Sequence, residues 1–202
     1  SLSKLLHSVV DIKLLVWTTT PWTIPANLGI AVNPILDYCI ISHPSVDNGT
    51  FFVVAKDLIS ELKHKFSLGS DFDILQTVKG ADLIGTAYLH PLYDRSSFVL
   101  EGGDYITADS GTGLVHTAPG HGQEDYQTGL KYNLPLISPV NARGQFTSEV
   151  DDNLRSPFTF SGLHVLEDGN REVIKALNES NALIHEEAYK HKYPYDWRTK
   201  KP

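Results

Sequence analysis

The sequence is poor in sulfur, with one cysteine, Cys39, and no methionine. A single cysteine excludes an internal disulfide framework and every zinc site that is built from pairs of cysteines. Cys39 lies in the apolar run Tyr38-Cys39-Ile40-Ile41, which predicts a buried side chain rather than a nucleophile. The absence of methionine, including at position 1, suggests that the chain is a piece of a longer protein.

Long hydrophobic runs and an excess of basic residues are also missing. No segment approaches the roughly 18 consecutive apolar residues of a membrane span, and residues 1–10 lack the pattern of a secretory signal. The formal net charge of −7 argues against a surface that binds many phosphates of a nucleic-acid duplex. It permits a pocket for a nucleotide or for a single-stranded end. With 202 residues, 41% of them hydrophobic, the chain can bury one sizeable core.

Short apolar segments separated by turn signals predict many strands and few helices. Residues 18–27 contain two prolines and four threonines, and therefore predict a pinned, extended loop that is neither helix nor central strand. Asn48-Gly49 predicts a tight turn. Strands are predicted over 11–17, 28–32, 36–42, 51–55, 71–80, 97–100 and 104–108, a buried extended segment over 134–140, and helices over 56–66, 123–131 and 167–178. This pattern predicts a single α+β domain with a β-barrel-like core and peripheral short helices.

Residues 111–126 form the strongest candidate site. A short apolar strand breaks at Pro119-Gly120 and a helix follows, so His116 and Asp125 lie on opposite sides of a strand-to-helix crossing. Glycines at such a crossing let backbone approach a ligand, and a helix start presents N–H groups. A Gly-x-Gly pair is a weak signal by itself, and a histidine beside a strand is often structural. On this stretch alone, both interpretations stay open.

The segment from Gly111 to Gly122 is accompanied by an earlier motif, Trp17-Thr18-Thr19-Thr20-Pro21-Trp22-Thr23. The combination of the two motifs is highly specific for one family of proteins. Together they resemble the editing domain, called connective peptide 1, that is inserted into the catalytic domain of isoleucyl-tRNA synthetases. The resemblance covers essentially residues 1–202, a single editing domain. Valyl and leucyl relatives carry arginine where Thr20 stands and end the second motif in an Ala-His-Asp pattern. Thr20, Trp22 and Gly120-His121-Gly122 therefore indicate the isoleucyl member.

The tail, roughly residues 189–202, resembles the segment that returns to the synthetic domain in bacterial or organellar enzymes. Nothing in the sequence resembles the ATP-binding signatures of that synthetic domain, so we expect no synthetic (ligase) activity from this chain. The resemblance implies a monomer in a bacterial cytoplasm or in a mitochondrial or plastid matrix. It implies neither a cofactor nor a metal, and the histidines lack the helical His-x-x-x-His spacing of a metal site.

The resemblance implies post-transfer editing, which is hydrolysis of the ester that joins valine to the 3′-terminal adenosine of isoleucine tRNA. One methylene is worth only about 1–3 kcal/mol, and isoleucine against valine is the standard illustration of this limit. A second site must therefore admit valine and exclude isoleucine. The expected partners are the acceptor end of isoleucine tRNA carrying valine and the rest of the parent synthetase.

The resemblance also implies a role for each site residue. Asp125 would hold the substrate's α-ammonium group, while His116 and Thr23 would form the wall around its side chain. Thr18, Thr19, Thr20 and Asn27 fit the terminal ribose and adenine. The sequence offers no convincing general base, so we hypothesise that the threonine hydroxyls, His116 and a ribose hydroxyl of the substrate orient the attacking water. The expected catalytic residues are Thr18, Thr19, His116 and Asp125, and the expected substrate-binding residues are Thr18, Thr19, Thr20, Trp22, Thr23, Asn27, His116, Gly120, His121 and Asp125.

Several alternatives stay open. His121 could serve only to shape the turn, and Glu124 could be a solvated acid that suits the helix dipole. His185 and His191 are expected at the surface. At the level of function, the rivals are a non-catalytic module that binds an aminoacyl-adenosine, and hydrolysis of valyl-adenylate before transfer.

Overall fold

Eight strands in two sheets form the centre of the molecule in a computed structural model that describes residues 11–42, 50–65, 72–189, 197–198 and 200. The strands are β1 (Asp11–Leu14), β2 (Gly29–Val32), β3 (Asp37–Ser42), β4 (Thr50–Ala55), β5 (Asp73–Lys79), β6 (Ala87–Leu89), β7 (Ser96–Glu101) and β8 (Leu114–Thr117). The first sheet has the order β1-β4-β3-β5 and the second has the order β6-β7-β2-β8. Both sheets are mixed, because β1 pairs in parallel with β4 and β2 in parallel with β7, while the other pairs are antiparallel.

Strand β2 positions the region of the second motif. It lies between β7 and β8, and its Ile30 faces Val99 on one side and His116 on the other. All four residues of β2 are buried, which agrees with a continuous apolar run in a central strand. β2 therefore pairs with the edge strand β8 and fixes the position of its buried His116.

Short helices surround the sheets: α1 (Ile59–Lys65), α2 (Gly80–Leu83), α3 (Gln123–Lys131) and α4 (Asp168–Glu179), with 3-10 helices at Pro21–Ala26, Lys56–Leu58 and Ser148–Asp151. Two apolar clusters hold α1, α2 and α4 in place. The larger cluster lies between the sheets and includes α1 through Leu62. The smaller one packs α4, through Val173 and Ala176, against Ile24 of the first 3-10 helix. None of the helices in the described part of the chain is long and apolar enough to cross a membrane.

The predicted fold class is confirmed, since two small mixed sheets combine with short helices. The described strands do not close into one barrel; they divide into two sheets of four. The predicted helices over 56–66, 123–131 and 167–178 are confirmed with small shifts of their ends, the first one beginning as a 3-10 turn. The predicted turn at Asn48-Gly49 and the residue His191 lie outside the described residues, as does most of the tail.

Three predicted segments were wrong. Residues 104–108 form a turn rather than a strand, because Gly102-Gly103 ends β7 and the Ile106 N–H donates to the Gly103 carbonyl over 3.1 Å. Residues 134–140 are irregular, and Leu136 is 65% exposed, so the apolar run there is not a buried strand. The first strand ends at Leu14 instead of reaching residue 17.

The loop predicted over residues 18–27 contains a 3-10 helix, Pro21–Ala26, so the expectation of no helix there was also wrong. Proline suits the first helical position, because its N–H would have no partner there. A helix of one or two 3-10 turns tolerates a second proline, Pro25, since the Thr23 and Asn27 N–H groups still bond to the carbonyls of Thr20 and Ile24. The segment with the two prolines is therefore a short helix rather than an extended loop.

A glycine pair joins the two sheets. Gly111 and Gly113 both have positive φ, +75° and +77°, which is the left-handed region that favours glycine. Between them, the carbonyl of Thr112 accepts a hydrogen bond of 2.8 Å from the Ala55 N–H at the end of β4. A Cβ on Gly113 would lie 2.3 Å from the Cβ of Ala55. Only glycine therefore lets β8 start this close to the first sheet.

We expect Gly113→Ala to lower the free energy of unfolding by about 2–4 kcal/mol, because it adds overpacking to the cost of a left-handed residue. Gly85→Ala is the matched control, since Gly85 has φ +83° but nothing within 4 Å of an added Cβ. That control should cost about 1 kcal/mol, the backbone term alone. Urea unfolding of both variants measures the difference. Equal losses would show that the contact with Ala55 contributes nothing.

Candidate functional site

A pocket of about 260 Å³ brings together most of the predicted site residues. Its lining consists of Trp17, Thr18, Thr19, Thr20, Thr23, Val115, His116, His121 and Asp125. The lining comes from the threonine-rich segment, from β8 and from the start of α3. The fold therefore joins the two motifs at one place, although they are about 90 positions apart in sequence.

The threonine-rich segment is held by hydrogen bonds to its carbonyl and N–H groups. Nε2 of the buried His90 donates to the Ile24 carbonyl over 2.9 Å, and Nη2 of Arg95 donates to the Pro25 carbonyl over 2.8 Å. The Trp22 N–H donates to Oδ1 of Asn170 on α4 over 3.0 Å. These bonds fix the position of the 3-10 helix, so the threonines before it have a rigid support.

The threonines themselves form a tight local turn. The Thr20 N–H donates to the Thr18 hydroxyl over 3.1 Å, and the two hydroxyl oxygens are 3.4 Å apart. Hydroxyl groups that accept bonds from the backbone two residues later are typical of such turns. The turn places the hydroxyls of Thr18 and Thr20 side by side on the wall of the pocket, with Thr19 beside them.

His116 is the buried centre of the site, with 7% of its surface exposed. Its Nε2 lies 3.0 Å from the Thr23 hydroxyl, and its Nδ1 lies 2.8 Å from Nδ2 of Asn27. The Thr23 hydroxyl donates its one proton to the Thr20 carbonyl over 2.9 Å, so His116 must donate to it through Nε2. The amide Nδ2 is a donor only, so Nδ1 of His116 must accept. The ring is therefore the neutral Nε2–H tautomer.

The ring has little tendency to take up a second proton. Burial lowers the pKa of His116 to about 3, and the neighbouring His121 adds to the effect. Burial also lowers the pKa of His121, whose ring meets that of Trp22 edge-on at 5.1 Å. Both imidazoles therefore face the pocket as neutral groups near neutral pH.

Asp125 provides the negative charge of the pocket. It lies in the first turn of α3, where helix N–H groups favour an anion, and its Oδ2 accepts a hydrogen bond of 2.9 Å from the Ala118 N–H. Burial raises the pKa of its carboxyl, against the effect of this hydrogen bond, and the charge of Glu124 raises it further. A half-buried carboxylate of this kind gains more from a cationic partner than an exposed one would.

Three of the predicted residues lie behind the pocket rather than on its wall. Trp22 packs against His121 and bonds to Asn170, while Asn27 bonds to the far side of the His116 ring. Gly120 approaches backbone so closely that a Cβ there would lie 2.4 Å from the Ile137 carbonyl oxygen. The substrate-binding roles of these residues stay predictions.

Some supporting residues were missed by sequence reasoning. His90, Arg95 and Tyr88 bond to the threonine-rich segment or to Asn27, and Val115 lines the pocket. Val115 belongs to the second motif but was not singled out there. The other three stand in a segment that carries no motif, at or beside the paired strands β6 and β7. Among the described residues, no group of three or more His, Cys, Asp or Glu side chains could hold a metal ion.

Comparisons with known proteins agree on one kind of molecule. No family model matches the chain. The chain is 52% identical over 193 residues to the isoleucine–tRNA ligase of Gloeothece citriformis, 52% over 192 residues to that of Microcystis aeruginosa and 49% over 193 residues to that of a Synechocystis species. Each match covers 95% of this chain but only 19% of the relative, so the chain spans about a fifth of their length.

Solved structures give the fold. The crystal structure of GlLeuRS-CP1 superposes with a TM-score of 0.66 at 17% identity, covering 93% of this chain and 90% of that one. The P. knowlesi cytosolic leucyl-tRNA synthetase editing domain gives 0.58 at 15% identity, with coverages of 88% and 87%.

The chain therefore has the fold of an aminoacyl-tRNA synthetase editing domain. By sequence, it corresponds to a segment of the isoleucine–tRNA ligase family. The expected resemblance is confirmed by both comparisons.

The buried histidines should make stability depend on pH. Burial depresses the pKa values of His90 and His116 to about 3 in the folded state, so between pH 6.5 and 3 the unfolded chain binds protons that the folded chain does not. The free energy of unfolding should therefore fall as the pH falls through this window, by about 1.4 kcal/mol per pH unit for each histidine.

Chemical unfolding at several pH values between 4 and 6.5 tests this expectation. His116→Gln should reduce the slope by the contribution of one histidine, whatever its effect on absolute stability. His64→Gln, at an exposed position of α1, is the matched control. An unchanged slope in His116→Gln would contradict the neutral, buried state of this ring.

Proposed function

We propose that the chain proofreads aminoacyl-tRNA, hydrolysing the ester between valine and the 3′-terminal adenosine of isoleucine tRNA. The observation that carries the proposal is the pocket that combines four threonines, two neutral histidines and one carboxylate. It lies in the fold of an editing domain and in a sequence about half identical to isoleucine–tRNA ligases. A purely structural loop would need no such set of groups facing a cavity.

Asp125 binds the α-ammonium group of the substrate in this proposal. The carboxylate is partly buried and is aimed by its bond from the Ala118 N–H. Burial removes part of the hydration of the carboxylate, and the positive charge of an ammonium group would compensate for this loss. A hydrogen bond between such charged groups is short and strong. Free carboxylic acids and peptides without a terminal ammonium would lack this anchor.

The wall around the amino-acid side chain is formed by His116, Thr23 and Val115. The pocket volume of about 260 Å³ is below the roughly 300–1,000 Å³ of ordinary small-molecule sites, which suits an aminoacyl group. His116 is held at both ring nitrogens, so it cannot swing away to admit one more methylene. A rigid wall is what a sieve for valine against isoleucine requires.

The attacking water is oriented by hydroxyl groups rather than activated by a strong base. Both nitrogens of His116 are already bonded, and its pKa is low, so the ring acts as a neutral fixed group. Thr18 and Thr19 supply hydroxyls at the pocket wall, and the ribose hydroxyl of the substrate completes the set. Holding water near an ester carbonyl accelerates attack through proximity and orientation.

The proposed partners are the acceptor end of isoleucine tRNA and the remainder of the synthetase. The chain spans only 19% of its relatives' length, and its net charge is −7. Most of the contacts with tRNA phosphates would therefore come from the other four fifths of the enzyme.

Asp125→Asn should slow the release of valine from valylated isoleucine tRNA by roughly 10- to 150-fold, the value of one hydrogen bond to a charged group. The asparagine oxygen can still accept from the Ala118 N–H, so the fold should be kept. Deacylation is followed beside an isoleucylated control. Glu124→Gln is the matched variant, because Glu124 is the adjacent, exposed carboxylate of the same helical turn, and it should retain full activity.

The same assay separates the alternatives. Equal rates for Asp125→Asn and the unchanged chain would remove the ammonium anchor. No release by any form, together with binding of an adenosine-linked valine analogue that needs Asp125, would indicate a binding module. Release of valine from its adenylate but not from tRNA would indicate editing before transfer.

We expect the 202-residue chain to bind isoleucine tRNA weakly, with a dissociation constant on the order of 10⁻⁶ M or above at physiological salt. An acidic chain neutralises few phosphates, so the affinity should also depend little on salt. Fluorescence titration at two salt concentrations measures both quantities. Nanomolar binding would contradict the proposed dependence on the other parts of the synthetase.

A further inference from the structure

A chain of hydrogen bonds leads from the pocket to a residue outside it. The hydroxyl of Tyr88 donates to Oδ1 of Asn27 over 2.5 Å, and Nδ2 of Asn27 donates to Nδ1 of His116 over 2.8 Å. The ring then donates through Nε2 to Thr23, which donates to the Thr20 carbonyl. Tyr88 lies on β6 and does not line the 260 Å³ pocket, but together with Asn27 and His116 it lines a larger neighbouring cavity of about 860 Å³.

The carbonyl groups at Gly29 and Thr20 assign a direction to the bonds between Asn27, His116 and Thr23. Nδ2 of Asn27 also donates to the Gly29 carbonyl over 2.8 Å, so both amide protons are used and the amide oxygen must face Tyr88. The reversed amide would set its oxygen against the Gly29 carbonyl, where two acceptors would meet. It would also present an acceptor to Nδ1 of His116 and so favour the other tautomer of the ring.

The Tyr88 hydroxyl is suited to a constant role as donor. Burial raises the pKa of Tyr88 to about 12, although its hydrogen bonds act in the opposite direction. The phenol therefore keeps its proton throughout the range in which the protein would work. The side chain stands opposite the buried Ser97 of β7, so the sheet holds the ring in place.

We propose that Tyr88 is a positioning residue for the sieve: through Asn27 it holds His116 as the Nε2–H tautomer, in the orientation that forms the pocket wall. The inference rests on the proposed editing function for its effect on specificity, but its physical content is the coupling from Tyr88 to His116. Loss of the hydroxyl leaves the Asn27 oxygen without its donor. The amide can then turn, and the ring loses its unique tautomer and its fixed position.

The experiment compares the 202-residue chain with Tyr88→Phe by NMR of the histidine ring nitrogens. The unchanged chain should show His116 as a single Nε2–H tautomer at neutral pH. Tyr88→Phe keeps the aromatic ring and should show a second ring population or a shift towards the Nδ1–H form. Tyr93→Phe is the matched control, because it removes another buried hydroxyl, which donates to the Val150 carbonyl over 2.6 Å, without touching this chain of bonds.

The second measurement is selectivity in deacylation. Tyr88→Phe should reduce the preference for valylated over isoleucylated tRNA by roughly 2- to 10-fold, the value of one neutral hydrogen bond, while Tyr93→Phe should leave the preference unchanged. A general loss of stability would lower both rates together and would not change their ratio.

The NMR comparison and the deacylation assay test the inference and the proposed function separately. Absence of hydrolysis in the unchanged chain would count against the proposed function alone, since the NMR comparison needs no turnover. An unaltered His116 signal in Tyr88→Phe would overturn the inference, even if the chain edits. An Nδ1–H ring in the unchanged chain would overturn it as well, and this result needs no variant to fold.

Discussion

The site depends on the two hydrogen bonds that hold the buried ring of His116. They reach from β8 to the 3-10 helix and to Asn27, which directly follows it, and so connect residues 93 and 89 positions apart. An unpaired imidazole at this depth would lose its hydration without replacement, at a cost of roughly 1–3 kcal/mol per polar group. The hydrogen bonds that both nitrogens of this one ring require therefore connect the two motifs to each other.

The sheet makes this pairing possible. The antiparallel register of β2 and β8 sets Ile30 opposite His116, and the Leu28 N–H continues the ladder to the Thr117 carbonyl over 2.9 Å. Asn27 then stands beside the ring without further adjustment. On the other side of the break, Pro119 packs on Gly129 of α3, so the helix that carries Asp125 is set against the same strand. Backbone pairing and one close contact thus determine where the chemical groups meet.

The sequence alone predicted much of this because its local patterns are clear. Apolar runs marked β2, β3 and β4, helical periodicity marked α4, and the two motifs named the residues that line the pocket. The apolar run over residues 134–140 led to the wrong prediction of a buried extended segment. It is as apolar as a strand, yet Leu136 is largely exposed to solvent. Apolarity reports burial only when another element covers the segment.

The supports of the site could not be predicted in the same way. His90 and Tyr88 belong to a short segment with no motif, and they matter only because β6 pairs with β7 and faces the threonine-rich segment. A 3-10 helix with two prolines is likewise decided by its tertiary partners, such as Asn170. These features arise from contacts between distant segments, which no local window contains.

The contact between Gly113 and Ala55 has a consequence for which residue position 113 can carry. The methyl group of Ala55 fills the space that a side chain at position 113 would need, and the backbone bond between Ala55 and Thr112 keeps the two strands from separating. The two positions share the volume of one methyl group. Removal of the Ala55 methyl group would free this volume but would leave the positive φ of position 113 unchanged, so the backbone would still favour glycine there.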